Sequence, residues 1–119
     1  MEHVQGRIDH IHGIVQKLLH QLKEKSSPEF GEIIQAVPIR VLWDSEEHNR
    51  YGDFFGVPLD VSQEVNTIPG DIILYARPLL EESEHDEYRL HDIVKKTLMH
   101  EIGHYLGLDH HELTEHGWN

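Results

Sequence analysis

His100-Glu101-Ile102-Gly103-His104-Tyr105-Leu106-Gly107-Leu108-Asp109-His110 lies at the end of a long helical pattern. Residues four apart on an α-helix are separated by about 40° of arc, so His100 and His104 project from one face. Two ligands of one tetrahedral Zn²⁺ need that spacing. Glu101 follows the first of them and can reach a water on the metal without being a ligand. Gly107 suits the left-handed residue that ends a helix. A turn there brings His110 back as a third ligand. Three protein ligands leave a fourth position for water, which is the pattern of a catalytic rather than a structural zinc site. The alternative, an amphipathic helix with solvated histidines, leaves the five fixed positions of HExxHxxGxxH unexplained.

The elements leading up to this stretch are read from periodicity and turn chemistry. Residues 2–24 carry Val4, Ile8, Ile11, Val15, Leu18 and Leu22 at alternating four- and three-residue steps, which predicts an amphipathic helix. That spacing also suits a dimer seam, but three heptads are short for a coiled coil, and packing against the rest of the chain is preferred. Ser27 and Pro28 start a second helix that runs to about Ala36. Pro38 opens a strand, Ile39 to Trp43. Asp44 to Asp53 reads as a polar loop in which Glu46, Glu47 and His48 are solvated.

Phe54 and Phe55 follow, and Val57, Leu59 and Val61 alternate like a short strand. Ile68-Pro69-Gly70-Asp71 suits a type II turn. Ile72 to Arg77, apolar on both faces, predicts an inner strand ended by Pro78. Ser83-Glu84-His85-Asp86 resembles a capping box, from which a helix reaches about Leu106, on the order of 34 Å away. Gly103 sits in its interior, where a close approach of another backbone would explain it.

The long zinc motif resembles that of the metzincin-type zinc peptidases. Phe54-Phe55-Gly56-Val57-Pro58-Leu59, Ile72-Ile73-Leu74-Tyr75-Ala76-Arg77-Pro78-Leu79 and Leu113-Thr114-Glu115-His116-Gly117-Trp118 narrow the resemblance to the small bacterial minimal zincin family, the predicted zinc proteases with a minimal matrix-metalloprotease-like domain. The matching pieces cover about residues 28–119. The resemblance implies a compact α+β zincin fold. Together with the elements read above, the expected architecture is a small mixed sheet of about three strands packed on a long active-site helix, with an N-terminal helix. The resemblance also implies metallopeptidase activity on an extended peptide that adds to a sheet edge. The larger metzincins carry a methionine turn after the motif. Nine residues follow His110 here and none is methionine, and the minimal family lacks that turn too.

Composition bounds the rest. A length of 119 residues suits one domain, 1–119. The 22 acidic and 10 basic residues give a net charge of −12, which repels nucleic acid and anionic membranes. Such a surface can attract basic peptides, but simple solubility accounts for it. No cysteine is present, so thiolate zinc sites and disulfides are excluded, and a cytoplasmic location is favoured. No signal-peptide pattern or membrane-length apolar run occurs. Of the twelve histidines, those outside the motif read mostly as surface residues.

The expected chemistry is peptide hydrolysis at Zn²⁺ held by His100, His104 and His110, with Glu101 as general base and then general acid. Asp109 and His111 flank His110 and remain alternative third ligands. Asp109 can instead cap a short helix that runs through His111 to Glu115. Tyr75, Tyr105 and His111 are of the right type for a second electrophile. Peptides or unfolded proteins are the expected substrates, and a monomer or weak dimer is the expected assembly. A zinc-binding or interaction module with little turnover is the competing reading, although it has no need of Glu101. A zinc hydrolase of a non-peptide amide is a third.

Overall fold

The computed structural model describes residues 2–47, 50–59, 70–108 and 110–115. The elements are α1 (Glu2–Lys25), α2 (Pro28–Gln35), β1 (Ile39–Leu42), β2 (Gly52–Phe55), β3 (Asp71–Tyr75), α3 (Ala76–Glu82), α4 (Glu87–Leu106) and α5 (His110–Glu115). This is the mixed α+β arrangement that the sequence predicts. The strands form one sheet in the order β1-β3-β2. β1 runs parallel to β3, with Ile39 opposite Ile72, and β2 runs antiparallel to it, with Phe54 opposite Ile72.

β3 is the inner strand, as its two-sided hydrophobicity requires. Ile72 and Leu74 are fully buried, and Ile73 and Tyr75 are nearly so. α4 packs on the sheet and on α1, and its Leu90, Val94, Leu98 and Ile102 are all in the core. The apolar stripe of α1 goes into the same core: Ile11, Val15, Leu18 and Leu22 are buried, together with Ile14. α2 begins as expected, with the Ser27 hydroxyl accepting from the Phe30 amide and Pro28 in the first turn.

Three boundaries differ from the sequence reading. The strand between β1 and β3 along the chain is Gly52–Phe55, and Val57 and Leu59 lie beyond its end. Gly56, at φ 113°, turns the chain out of the sheet, and Pro58 has no N–H for a ladder. Asp60, Val61 and most of the anticipated type II turn lie outside the described residues. Secondly, β3 stops at Tyr75 and the chain enters α3 at once. Pro78 falls in the first turn of that helix, where no intrahelical N–H is required. Arg77 holds this corner: its amide donates to the Trp43 carbonyl at 2.8 Å and its Nε to Asp44 Oδ2 at 2.5 Å.

Thirdly, the long helix starts later than the Ser83 capping pattern suggests. Ser83 closes α3, its hydroxyl donating to the Leu80 carbonyl at 2.9 Å. Asp86 is the N-cap of α4 and accepts from the Arg89 amide at 3.0 Å.

The far end of α4 is as predicted. Gly107 adopts φ 75°, ψ 23°. Its amide donates to the His104 carbonyl, and the Leu108 amide to the Gly103 carbonyl at 2.8 Å. This bonding pair is a Schellman turn, completed by Leu108 packing against the core. Among the described residues no helix is long and apolar enough to cross a membrane.

Gly56 and Gly70 meet at the open end of the β2–β3 pair. A Cβ on Gly70 would lie 1.9 Å from the Phe55 carbonyl oxygen, and one on Gly56 would lie 2.7 Å from the Gly70 Cα. The Gly70 amide donates to the Val57 carbonyl at 2.9 Å. The two backbones therefore touch where the chain leaves the sheet and where it returns.

Candidate metal centre

His100 and His104 lie one turn apart on α4, exposed on its surface, with their ring Nε2 atoms 3.0 Å apart. The rings stand nearly perpendicular, at 84°. Ligating nitrogens about 2.0–2.1 Å from a tetrahedral zinc are about 3.3 Å from each other. The observed pair therefore has the right donors at nearly the right separation for one metal ion. The carboxylate of Glu101 completes a cluster whose ligand atoms all lie within 4.8 Å of one another. Among the described residues no second cluster of this kind occurs.

Glu101 is buried, at 6% exposure, unlike its two neighbours. Burial pushes its carboxyl above the ordinary value. The imidazoles of His100 and His104 oppose that shift, Asp53 adds to it, and Arg50 opposes it. A carboxyl in this position holds a proton more readily than one in water.

The third ligand of the sequence reading, His110, is the first residue of α5, which begins soon after the Gly107 turn. Its side chain lies outside the described residues, as does Asp109. His111 is exposed, with its Nε2 3.0 Å from Glu115 Oε1. Other histidines likewise pair with glutamates: His10 and His91 with Glu87, and His20 with Glu24.

A cleft of about 720 Å³ opens over the cluster. One wall is α4, with Ile93, Lys96 and Thr97 beside the metal-site residues. The other is β2 and its approach, with Arg50, Tyr51, Gly52, Asp53 and Phe54. Gly52 allows this proximity, since a Cβ there would lie 3.0 Å from the Thr97 methyl. Phe54 packs edge-to-face on Tyr105 at 6.2 Å, tying strand to helix. β2 is an edge of the sheet.

The residues thought suitable as a second electrophile do not line this cleft. Tyr105 is buried, and Tyr75 is 4% exposed with its hydroxyl donating to Asp53 Oδ2 at 2.9 Å. Arg50 does line it, a residue the sequence reading left inside a solvated loop. Its Nη2 donates to Asp53 and its Nη1 to Glu47 at 2.8 Å. No local pattern marks Arg50 or Asp53. Only the pairing of β2 with β3 brings them to the metal site.

The Tyr75–Asp53 bond carries a prediction. Tyr75 is pushed up to about 12, first by burial and then by its bond to Asp53. The unfolded chain loses that proton near 10.0. Between these values the unfolded state binds fewer protons than the folded one, so stability falls as pH rises. Tyr75→Phe is expected to lower stability by about 1 kcal/mol at neutral pH and to flatten this alkaline slope. Urea unfolding at pH 7 and between pH 10 and 12 measures both.

The comparison with known families agrees with this geometry. A family model described as zincin-like metallopeptidase matches residues 34–118. No curated protein matches the chain.

Proposed function

The chain belongs to the zincin-like metallopeptidase family, and from that premise we propose that it hydrolyses peptide bonds with zinc held by His100, His104 and His110 and with Glu101 as the proton carrier. The observation that carries this reading is the pair of exposed imidazoles 3.0 Å apart, set beside one buried carboxylate at the floor of an open cleft.

Bound zinc supplies a Lewis acid and a water that ionises near neutral pH. Glu101 accepts the proton of the attacking water and delivers it to the departing amine. Its raised affinity for a proton helps the acceptance and its proximity to the cleft permits the return. A peptide lying extended along β2 has the unpaired strand edge to bond to and the motif of α4 beneath it. The shallow walls favour short or unfolded peptides, which need no deep pocket.

A module that binds zinc without turnover explains the two histidines but not a buried carboxylate next to them. Burying that charge is unfavourable, and metal retention does not require it.

The test is metal content together with cleavage of a peptide library. One zinc per chain, cleavage lost on chelation and restored by stoichiometric zinc, is the expected result. Tight zinc binding with no cleavage of any library member would sink the peptidase reading in favour of the binding module. Wild-type metal content in both His100→Ala and His104→Ala would remove these residues from the site.

A further inference from the structure

We propose that the cleft takes peptides bearing a carboxylate, and that Arg50 is the residue that reads it. The inference rests on the peptidase reading and adds a substrate class to it.

Arg50 lies two residues before the edge strand and lines the cleft beside His100 and Glu101. Its two partners are unequal. The Asp53 side chain is only 12% exposed and is itself held by the Tyr75 hydroxyl. Glu47 is 78% exposed, three residues back along the chain. An exposed pair of that kind is weak and exchanges readily with another ligand. Asp53 therefore aims the guanidinium, while Glu47, which lies beside the cleft and not in its lining, holds the Nη1 donor. In doing so Glu47 shows which chemistry that donor takes. A guanidinium presents N–H groups in a planar fork that fits a carboxylate.

The charge of the cleft points the same way. Acidic residues outnumber basic ones 22 to 10, yet Arg50 and Lys96 both line it. Lys96 is paired with Asp92, one turn back on α4, with both side chains mostly exposed. The acids of the cleft are committed: Asp53 to Arg50 and Tyr75, Glu101 to proton transfer. The lining thus carries two bases against two acids, a balance the chain as a whole lacks, and a bound dication would make it more attractive to anions. A basic peptide, which the net charge alone would attract, meets two like charges there.

The carboxylate has two sources, an acidic side chain within the peptide or a free C-terminus. Four matched peptide sets separate them: amidated with an internal Glu, neutral with a free C-terminus, neutral and amidated, and amidated with an internal Lys. The zinc-loaded wild type is assayed by kcat/KM. Zinc-loaded Glu101→Gln is titrated with the same sets by calorimetry, which ranks them with or without turnover.

Carboxylate-bearing peptides are expected to lead the neutral amidated set by about tenfold, mainly through KM and Kd. In Arg50→Gln the ratio falls to about one, and Arg50→Lys restores part of it. Glu47→Gln raises the ratio by about two- to fivefold, a gain that misfolding does not produce. A preference tied to internal Glu identifies a side-chain reader. One tied to the free C-terminus identifies trimming from the chain end. Either supports the proposal. Equal or tighter binding of the neutral or Lys set overturns it, as does a ratio unchanged in Arg50→Gln. If every set is bound in carboxylate order but none is cut, the peptidase reading falls and this assignment stands. If neutral peptides are cut as fast as acidic ones, the reverse holds.

Discussion

Glu101→Gln is expected to cut peptide hydrolysis by about 10²–10⁴-fold while zinc stays bound. The amide keeps the shape of the carboxylate but cannot accept a proton from water. The donors proposed for the metal are imidazoles, two of them 3.0 Å apart, and none is changed by the substitution, so the metal site should survive it. Zinc stoichiometry and kcat/KM on one good peptide test both halves. Cleavage within threefold of wild type would remove Glu101 from the mechanism.

The same substitution has a second signature, in the metal-free protein. Burial raises the Glu101 carboxyl above its ordinary 4.5, so its ionised form opposes folding at neutral pH. The substituted amide carries no such charge, and the metal-free variant should unfold at a higher temperature than metal-free wild type. The difference shrinks as pH falls through the raised value and wild type gains its proton, and it is gone below 4.5. A variant less stable at pH 7 and level at pH 4 would have the sign wrong.

Gly70→Ala is the second large effect expected. A methyl placed 1.9 Å from the Phe55 carbonyl oxygen meets backbone, not a side chain that can swing aside. The β2–β3 ladder must part at Phe55 and Asp71, its last pair. Overpacking of this kind costs about 3 kcal/mol, roughly 10 °C or more in Tm for a chain of this size. Activity should fall further than stability explains, because β2 forms one wall of the cleft. Thermal unfolding and kcat/KM measured well below Tm separate the two. A Tm within 2 °C of wild type would show that the two backbones do not touch as described.

Much of this was legible in the sequence, for local reasons. The stripe of α1, the Ser27 cap, the inner strand and the Gly107 stop each depend on neighbours within a turn or a strand. The helix of the HExxH stretch was legible because His100 and His104 share one face. What escaped was non-local or rested on competition between signals. Phe54 and Phe55 form a strand because β3 offers Ile72 and Asp71 opposite them. The alternation at Val57, Leu59 and Val61 is equally good on paper. Ser83 opens a capping pattern in the sequence, but the turn between α3 and α4 leaves the cap to Asp86. Arg50 and Asp53 carried no pattern at all, since their meaning depends on pairing with a strand far along the chain.

α4 faces two ways. Its front carries Thr97, His100 and His104 toward the cleft, and its back seats Leu98 and Met99 against Leu18 and Leu22 of α1. Robustness and activity therefore draw on different residues of one rod. The usual conflict between them, in which stiffening a protein blunts its reaction, is relaxed here. A tighter fit behind α4 leaves the imidazoles where they are. α1 also lies outside residues 34–118, where the family match falls. The buttress is thus the part a lineage can rebuild for heat, cold or a new neighbour while the working face is kept.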